Sequence, residues 1–356
     1  MSASTDQAGS VRAGEELDIV AVDAWLKQQL PSLQGTPKVT QYAGGASNWT
    51  YRLEYANDDL ILRRPPSGTK AKSAHDMGRE FRIQQALQPV FPYVPAMRAH
   101  CTDTTVIGAE FYVMQRLAGI IPRKNLPRDL NLPPDTVRQL CLNVIDTLIA
   151  LHQVDIHAAG LDKLGVGAGY ARRQIDGWSK RYLDARTWNV PRGEKIMAWL
   201  QAHLPQQERI CVTHNDFRFD NVVLDPNDPT RVIGVLDWEL ATLGDPLMDL
   251  GNSMAYWVQA DDDFMARATR RQPTHLPGML SRNEVVAYYC AKSGFEPEHW
   301  AFYEVYGLFR LSAIAQQIYY RYYHRQTRNP AFKNFWQLVH YLHWRCRRAM
   351  RQGNRP

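Results

Sequence analysis

Apolar and polar residues alternate with a period of two between Lys38 and Arg64 and with a period near 3.6 over most of the chain beyond Arg64. The alternation predicts three antiparallel strands, 38–42, 48–55 and 60–64, because successive side chains of a strand face opposite ways. Ahead of them Leu17 to Leu30 reads as a helix with Ile19, Val22, Trp25, Leu26 and Leu30 inward, closed by Pro31. A helix follows from about His75 to Leu87, ended by the proline-rich stretch 89–95, and Val106 to Met114 reads as two short strands joined by Gly108. Helical spacing returns at 134–153, continues as amphipathic helix over 170–204 with Trp178, Tyr182, Leu183, Ile196, Trp199 and Leu200 inward, and makes 283–350 wholly helical.

One stretch breaks this succession of helices. Val222 to Leu224 and Val232 to Leu236 flank Asp-Pro-Asn-Asp-Pro, which predicts a β-hairpin. The loop before it carries His214, Asp216 and Asn221, and the loop after it begins at Asp237. Antiparallel pairing brings opposite strand ends together, so Asn221 and Asp237 fall side by side with Asp216 close by. Oxygen-only side chains in such a set suit Mg²⁺, which takes one or two carboxylates and completes its shell with water and nucleotide phosphates. His-x-Asp-x-x-x-x-Asn with a downstream Asp is the spacing of a phosphoryl-transfer site, a base followed by two metal holders. The bland alternative, a surface hairpin whose Asp and Asn residues cap turns, explains the residue types but not their order.

The stretch resembles the catalytic core of the aminoglycoside phosphotransferase-like branch of the protein-kinase-like fold, with His214-Asn-Asp216 where that family usually has His-Gly-Asp and Leu-Asp237-Trp-Glu for the kinase Asp-Phe-Gly. The polar, acidic composition of 1–16 predicts a disordered tail, and the resemblance implies an α+β, two-lobed fold beyond it: an N-lobe 17–116 with a small antiparallel sheet and a larger, mainly helical C-lobe 117–356. It implies ATP and Mg²⁺, with Asp216 as base, Asn221 and Asp237 as metal holders, Arg218 facing the transferring phosphoryl group and His214 orienting the loop from behind.

Within the N-lobe, the Gly44-Gly45-Ala46-Ser47-Asn48 turn suits a phosphate, since glycines admit close backbone approach and Ser47 adds a donor. The third strand ends in Arg63-Arg64 where kinases place lysine, a departure from the pattern. Alternation lets only one of the two face the cleft; we favour Arg63, with Glu80 as its helix partner. The resemblance further assigns the backbone near Gln115 and Leu117 to adenine and Met114 to its pocket. Asp245 suits a helix N-cap, Asp249 a scaffold for the 214–216 turn, and His152 a structural role.

Composition bears on the compartment and the acceptor. Five scattered cysteines without Cys-x-x-Cys spacing favour a reducing cytoplasm, and no apolar run approaches membrane-spanning length. The net charge is +6, and residues 251–356 hold 15 Lys/Arg against 7 Asp/Glu. A polycationic aminoglycoside calls for a carboxylate-lined pocket, whereas this segment, with Asp261-Asp262-Asp263 as its one acidic cluster, fits an anionic small-molecule acceptor. Leu62-Arg-Arg-Pro-Pro-Ser-Gly68, Ser73-Ala-His75 and Arg79-Glu80-Phe resemble the kinase-like domains fused to some acyl-CoA dehydrogenases, which implies a hydroxyacyl-CoA as acceptor. Aminoglycoside or another small alcohol is the alternative. A nucleotide-binding pseudokinase is a second, admitted by the arginine at the lysine position and by Asn215. Nucleic acid is not expected, because no recognition motif accompanies the basic C-terminus.

Overall fold

The computed structural model describes residues 8–42, 48–66, 76–127 and 129–353. A first helix, α1 (Ile19–Gln29), capped by Asp18, precedes the strands β1 (Lys38–Gln41), β2 (Trp49–Glu54) and β3 (Asp59–Arg64). Helix α2 (Met77–Leu87), capped by Asp76, leads to β4 (Met97–Cys101) and β5 (Phe111–Gln115). The five strands form one antiparallel sheet in the order β1-β2-β3-β5-β4. Alternation along β3 divides its two faces. Leu60 and Leu62 join α1 through Val22 and Leu26, while Ile61 joins Met77 and Phe81 of α2. Arg63 falls on the α2 side.

Three expectations need correction here. Residues 8–16 are not disordered: Gly9 pairs with Gln41 at the sheet edge, Gln41 Nε2 donates to Glu15, and the Tyr51 hydroxyl donates to the Glu15 carbonyl. Residues 106–110 are a turn closed by Gly108 N–H to Thr104 O, and the strand paired with β5 is β4. Leu183, expected in the core, is exposed at 49 %.

The rest of the chain packs on one large core. Helices α3 (Pro134–His152), α4 (Tyr170–Asp184) and α5 (Glu194–Ala202) precede β6 (Cys211–Thr213). The hairpin β7 (Val222–Leu224) and β8 (Val232–Val235) follows, then β9 (Thr242–Gly244), which pairs with β6. The C-terminal helices are α6 (Pro246–Ala255), α7 (Phe264–Thr269), α8 (Arg282–Ser293), α9 (Trp300–Tyr323) and α10 (Phe335–Gly353), so 283–350 is helix interrupted by turns. Helices α6 and α9 cross at two glycines. A Cβ on Gly307 would lie 2.1 Å from the Gly251 carbonyl oxygen, and one on Gly251 2.4 Å from the Tyr303 carbonyl oxygen. Only a residue without a side chain allows that approach.

The segment leaving β5 is tied to the hairpin. Ile120 and Leu224 exchange backbone hydrogen bonds of 2.9 and 2.8 Å. A Cβ on Gly119 would lie 2.4 Å from the Leu224 carbonyl oxygen, so the glycine is what lets the linker lie flat on β7. Sheet and hairpin thus face each other across one cleft. Among the described residues no helix is long and apolar enough to cross a membrane.

Candidate active site

The loop after β6 is held from behind by α6. Asp245 caps that helix by accepting the Met248 N–H, and one turn on, Asp249 faces the loop. Its carboxylate accepts the His214 N–H at 2.7 Å, the Asn215 N–H at 2.8 Å and His152 Nε2 at 3.1 Å, with no exposure. Burial pulls the Asp249 carboxyl upward, but the His152 and His214 donors outweigh it and hold the group below the ordinary range. His152 also meets the Tyr289 hydroxyl and is fully enclosed, in keeping with a structural role.

Asn215 has φ 62°, a left-handed conformation that glycine adopts freely and asparagine tolerates better than most residues. Its side chain turns inward. Oδ1 accepts from the Tyr170 hydroxyl and Asn252 Nδ2, and Nδ2 donates to Thr213 Oγ1 and the Leu240 carbonyl. The asparagine thus reproduces the glycine backbone and adds four buried hydrogen bonds. His214 links the two loops: its Nε2 lies 3.0 Å from the Leu236 carbonyl, and its Nδ1 accepts the Asp216 N–H at 3.3 Å.

Asp216, Asn221 and Asp237 converge. Asn221 Nδ2 donates to the Asp216 carbonyl at 2.9 Å and to its Oδ2 at 3.2 Å, so the amide oxygen of Asn221 is left for another partner. The Leu236 N–H donates to the Asn221 carbonyl at 2.8 Å, which sets Asn221 beside Asp237. Asp237 too has positive φ, 69°, a strained geometry for an aspartate. The Asp216 carboxyl is pushed up by burial and drawn back by Arg218 and Arg310, with Asp237 adding repulsion.

Across the cleft Arg63 Nη1 donates to Glu80 at 2.7 Å and Nη2 reaches Asp237 Oδ1 at 3.2 Å. Arg64 goes to the other face, its guanidinium 5.2 Å from the Trp49 ring centre. Burial opposes the charge of Arg63, but Glu80, Tyr112 and Asp237 keep it protonated, while burial raises the Glu80 carboxyl against the pull of Arg63. Such a buried pair specifies geometry more than it stabilises. Asn48 Nδ2 lies 3.4 Å from Glu239, and Asn48, Met114, Leu117, Asn221 and Asp237 line the same cavity. Gln115 also lines it, but its N–H is spent on the Ala96 carbonyl within the sheet. Ser47 lies outside the described residues.

Several further side chains brace the site. Arg79 donates from α2 to the carbonyls of Glu239 and Ala241, tying that helix to the turn after Asp237. Arg218 sits between Asp216 and Asp220 with its guanidinium carbon 4.7 Å from the Tyr256 ring centre. Gln272 Oε1 accepts the Phe219 N–H at 2.9 Å. Arg310, in the middle of α9, donates to the Asn215 carbonyl at 2.8 Å. Arg218, two residues after Asp216, and Arg79, beside Glu80, stand in stretches the sequence singled out; Gln272 and Arg310 come from elements remote in the chain.

A site with a half-buried aspartate, an adjacent Asn/Asp oxygen pair and a cation braced by a helix glutamate can bind a metal nucleotide and receive a hydroxyl proton. The oxygen-rich donor set at Asn221 and Asp237 fits Mg²⁺ completed by phosphates. Residues 38–284 match the family model described as the phosphotransferase enzyme family. The chain is 35% identical over 318 residues to acyl-CoA dehydrogenase family member 11 of Rattus norvegicus, covering 86% of this chain and 40% of that protein. It is 37% identical over 305 residues to family member 10 of Mus musculus, covering 85% of this chain and 28% of that one. The chain therefore spans less than half the length of either relative. Among solved structures, a Ralstonia eutropha protein assigned as an aminoglycoside phosphotransferase superimposes with a TM-score of 0.81 at 27% identity, covering 96% of this chain and all of that one. The GDP complex of an aminoglycoside 2'-phosphotransferase IIIa mutant, with a TM-score of 0.60 at 15% identity over 94% of this chain and all of that one, shares the fold. The chain belongs to the phosphotransferase enzyme family and has its α+β, protein-kinase-like fold.

Proposed function

We propose that this protein transfers the γ-phosphoryl group of ATP to the hydroxyl of an anionic small molecule, a hydroxyacyl-CoA being the class that fits best. The observation that carries the reading is the convergence of Asp216, Asn221 and Asp237 opposite the Arg63–Glu80 pair. In this reading Asp216 accepts the proton of the acceptor hydroxyl as its oxygen forms a bond to the γ-phosphorus, while the bond from that phosphorus to the bridging oxygen breaks and ADP leaves. Asn221 and Asp237 would hold Mg²⁺, which when bound neutralises charge on the phosphates. Arg63 braces the nucleotide phosphates from the sheet, and Arg218 faces the group in transit. Met114 and the backbone of Gln115 and Leu117 take the adenine. Because the Gln115 amide is already used, its carbonyl and the Leu117 amide are the groups offered. Asn48, at the edge of the same cavity, covers the phosphates from the sheet side.

The choice of an anionic acceptor rests on what surrounds Asp216. Arg218 and Arg310 act on it directly, and Arg123, on the cavity wall, acts on neighbouring Asp220. The acidic cluster that could have received an aminoglycoside is otherwise engaged. Asp262 is paired with Arg282, and Asp263 caps α7 and accepts from Tyr341. The relatives are named for acyl-CoA, which supports an acyl-CoA derivative among the acceptors to test.

Transfer of labelled γ-phosphate from Mg-ATP to hydroxyacyl-CoAs and aminoglycosides, with Asp216→Asn as control, tests the reading. Label on an acyl-CoA, reduced about 10²- to 10⁴-fold in the variant with ATP-induced thermal stabilisation retained, is expected. Full turnover by Asp216→Asn would refute the assigned base, and label on an aminoglycoside the charge argument. ATP binding without transfer to either favours the pseudokinase.

A further inference from the structure

Arg218 is attracted to its surroundings without being fixed by them. Its Nη2 lies 3.2 Å from Asp216 Oδ2 and its Nε 3.3 Å from Asp220 Oδ1. Arg218 Nε and Asp220 Oδ1 are nevertheless both buried without a hydrogen-bond partner. Two carboxylates on either side draw the guanidinium in but leave its plane undetermined, because only aligned hydrogen bonds set orientation. A third contact supplies the plane, the face of the Tyr256 ring beneath the guanidinium.

The ring is in turn locked to the loop that it serves. Tyr256 terminates α6, and its carbonyl accepts Gln272 Nε2 at 3.3 Å. The other end of the same amide, Gln272 Oε1, accepts the N–H of Phe219, the residue next to Arg218. Gln272 is 1 % exposed, so water does not compete for these bonds. One buried side chain thus spans from the backbone of the ring to the backbone of the arginine.

We propose that Tyr256 is a positioning residue for phosphoryl transfer: its ring face, tied to the catalytic loop through Gln272, holds the Arg218 guanidinium where the phosphoryl group passes Asp216. The inference rests on the roles proposed for Asp216 and Arg218. Without the ring, Arg218 is free to close on Asp216 and cover the base, or on Asp220 and leave the path. The ring face carries the role, and the phenol oxygen does not.

The test compares Tyr256→Phe, Tyr256→Leu and Gln272→Ala for kcat, for KM of Mg-ATP and for the ring-current shift of the Arg218 Nε–H resonance, assigned with Arg218→Lys. Tyr256→Phe should retain the shift and stay within about twofold of the parent kcat, whereas Tyr256→Leu should lose the shift and about tenfold in kcat, worth about 1.4 kcal/mol, with KM for Mg-ATP unchanged. Gln272→Ala should move shift and kcat in the same direction. A Leu variant with the parent kcat overturns the proposal, and so does a Phe variant as impaired as Leu. Should the Leu variant not fold, the Phe and Gln272→Ala variants decide by the same two readouts. A parent that transfers phosphate to no acceptor defeats the functional reading; an absent ring-current shift in an active parent defeats this one alone.

Discussion

Replacing Asn215 by glycine isolates what its side chain contributes, because φ 62° suits glycine without adjustment. The substitution removes four hydrogen bonds of 3.0 to 3.2 Å, to Tyr170, Asn252, Thr213 and Leu240. At about 0.5–1.5 kcal/mol each, the loss is about 2–6 kcal/mol. Two smaller effects oppose each other: glycine relieves the left-handed strain of about 1 kcal/mol but gives the unfolded chain about 0.5–1 kcal/mol more entropy. The expected destabilisation is therefore about 4 kcal/mol by urea unfolding, mid-range for the four bonds. Asn215→Ala loses the same bonds and bears a left-handed strain of about 1–2 kcal/mol against about 0.5–1 kcal/mol less unfolded-chain entropy, so it should be no more stable than the glycine variant and up to about 1.5 kcal/mol less stable. A glycine variant as stable as the parent, or an alanine variant more stable than the glycine one, would refute the reasoning. The expected order makes Asn215 a scaffold equivalent of glycine, and so removes one of the two features that admit a pseudokinase.

The remaining predictions concern buried groups. Arg63→Met strands Glu80, which is 2 % exposed, so it should cost about 3–5 kcal/mol in unfolding experiments and be largely rescued by Glu80→Gln; no rescue would refute the pairing. Asp245, also 2 % exposed, has its carboxyl pushed up to about 6 by burial, so the folded state holds this proton more tightly than the unfolded chain and loses stability as pH rises from about 4 to 6. Asp245→Asn keeps the cap and should equal the parent near pH 4 but exceed it above pH 7, by up to about 3 kcal/mol; a difference that does not grow with pH refutes the assignment. Gly307→Ala must separate α6 from α9 and should cost at least about 1–3 kcal/mol, measured as a lowered urea midpoint.

What the sequence revealed was local, and what it concealed was long-range. The hairpin was legible because both of its strands are apolar and bracket a proline-rich turn, and side-chain alternation allowed only one of Arg63 and Arg64 to face α2, where Arg63 meets Glu80. Strand β4 was hidden because Met97-Arg-Ala-His-Cys101 holds no β-branched residue; its conformation comes from pairing with β5. Val106-Ile107 looked like a strand start, but Thr104 and Gly108 close a turn around them. Residues 8–16 have the composition of a tail and are ordered by Gln41 and Tyr51, distant in sequence. The same limit hid Tyr256, Gln272 and Arg310, which reach the site from helix ends and turns that no local pattern connects to it.

Those late residues tie the basic C-terminal helices to the candidate site. Asp249 of α6 accepts the backbone amides of His214 and Asn215, and Arg310 of α9 donates to the Asn215 carbonyl, so the two helices grip one strained residue from opposite sides of its peptide units. The glycine-to-glycine crossing of α6 and α9 fixes the spacing of that grip. Tyr256 and Gln272, which follow α6, then reach the loop beyond Asp216. Under the proposed function, an acceptor bound against these helices meets the elements that set Asp216 and Arg218. Acceptor selection and rate are expected to change together when this region is substituted, whereas nucleotide affinity, set across the cleft by the sheet and α2, is expected to stay constant.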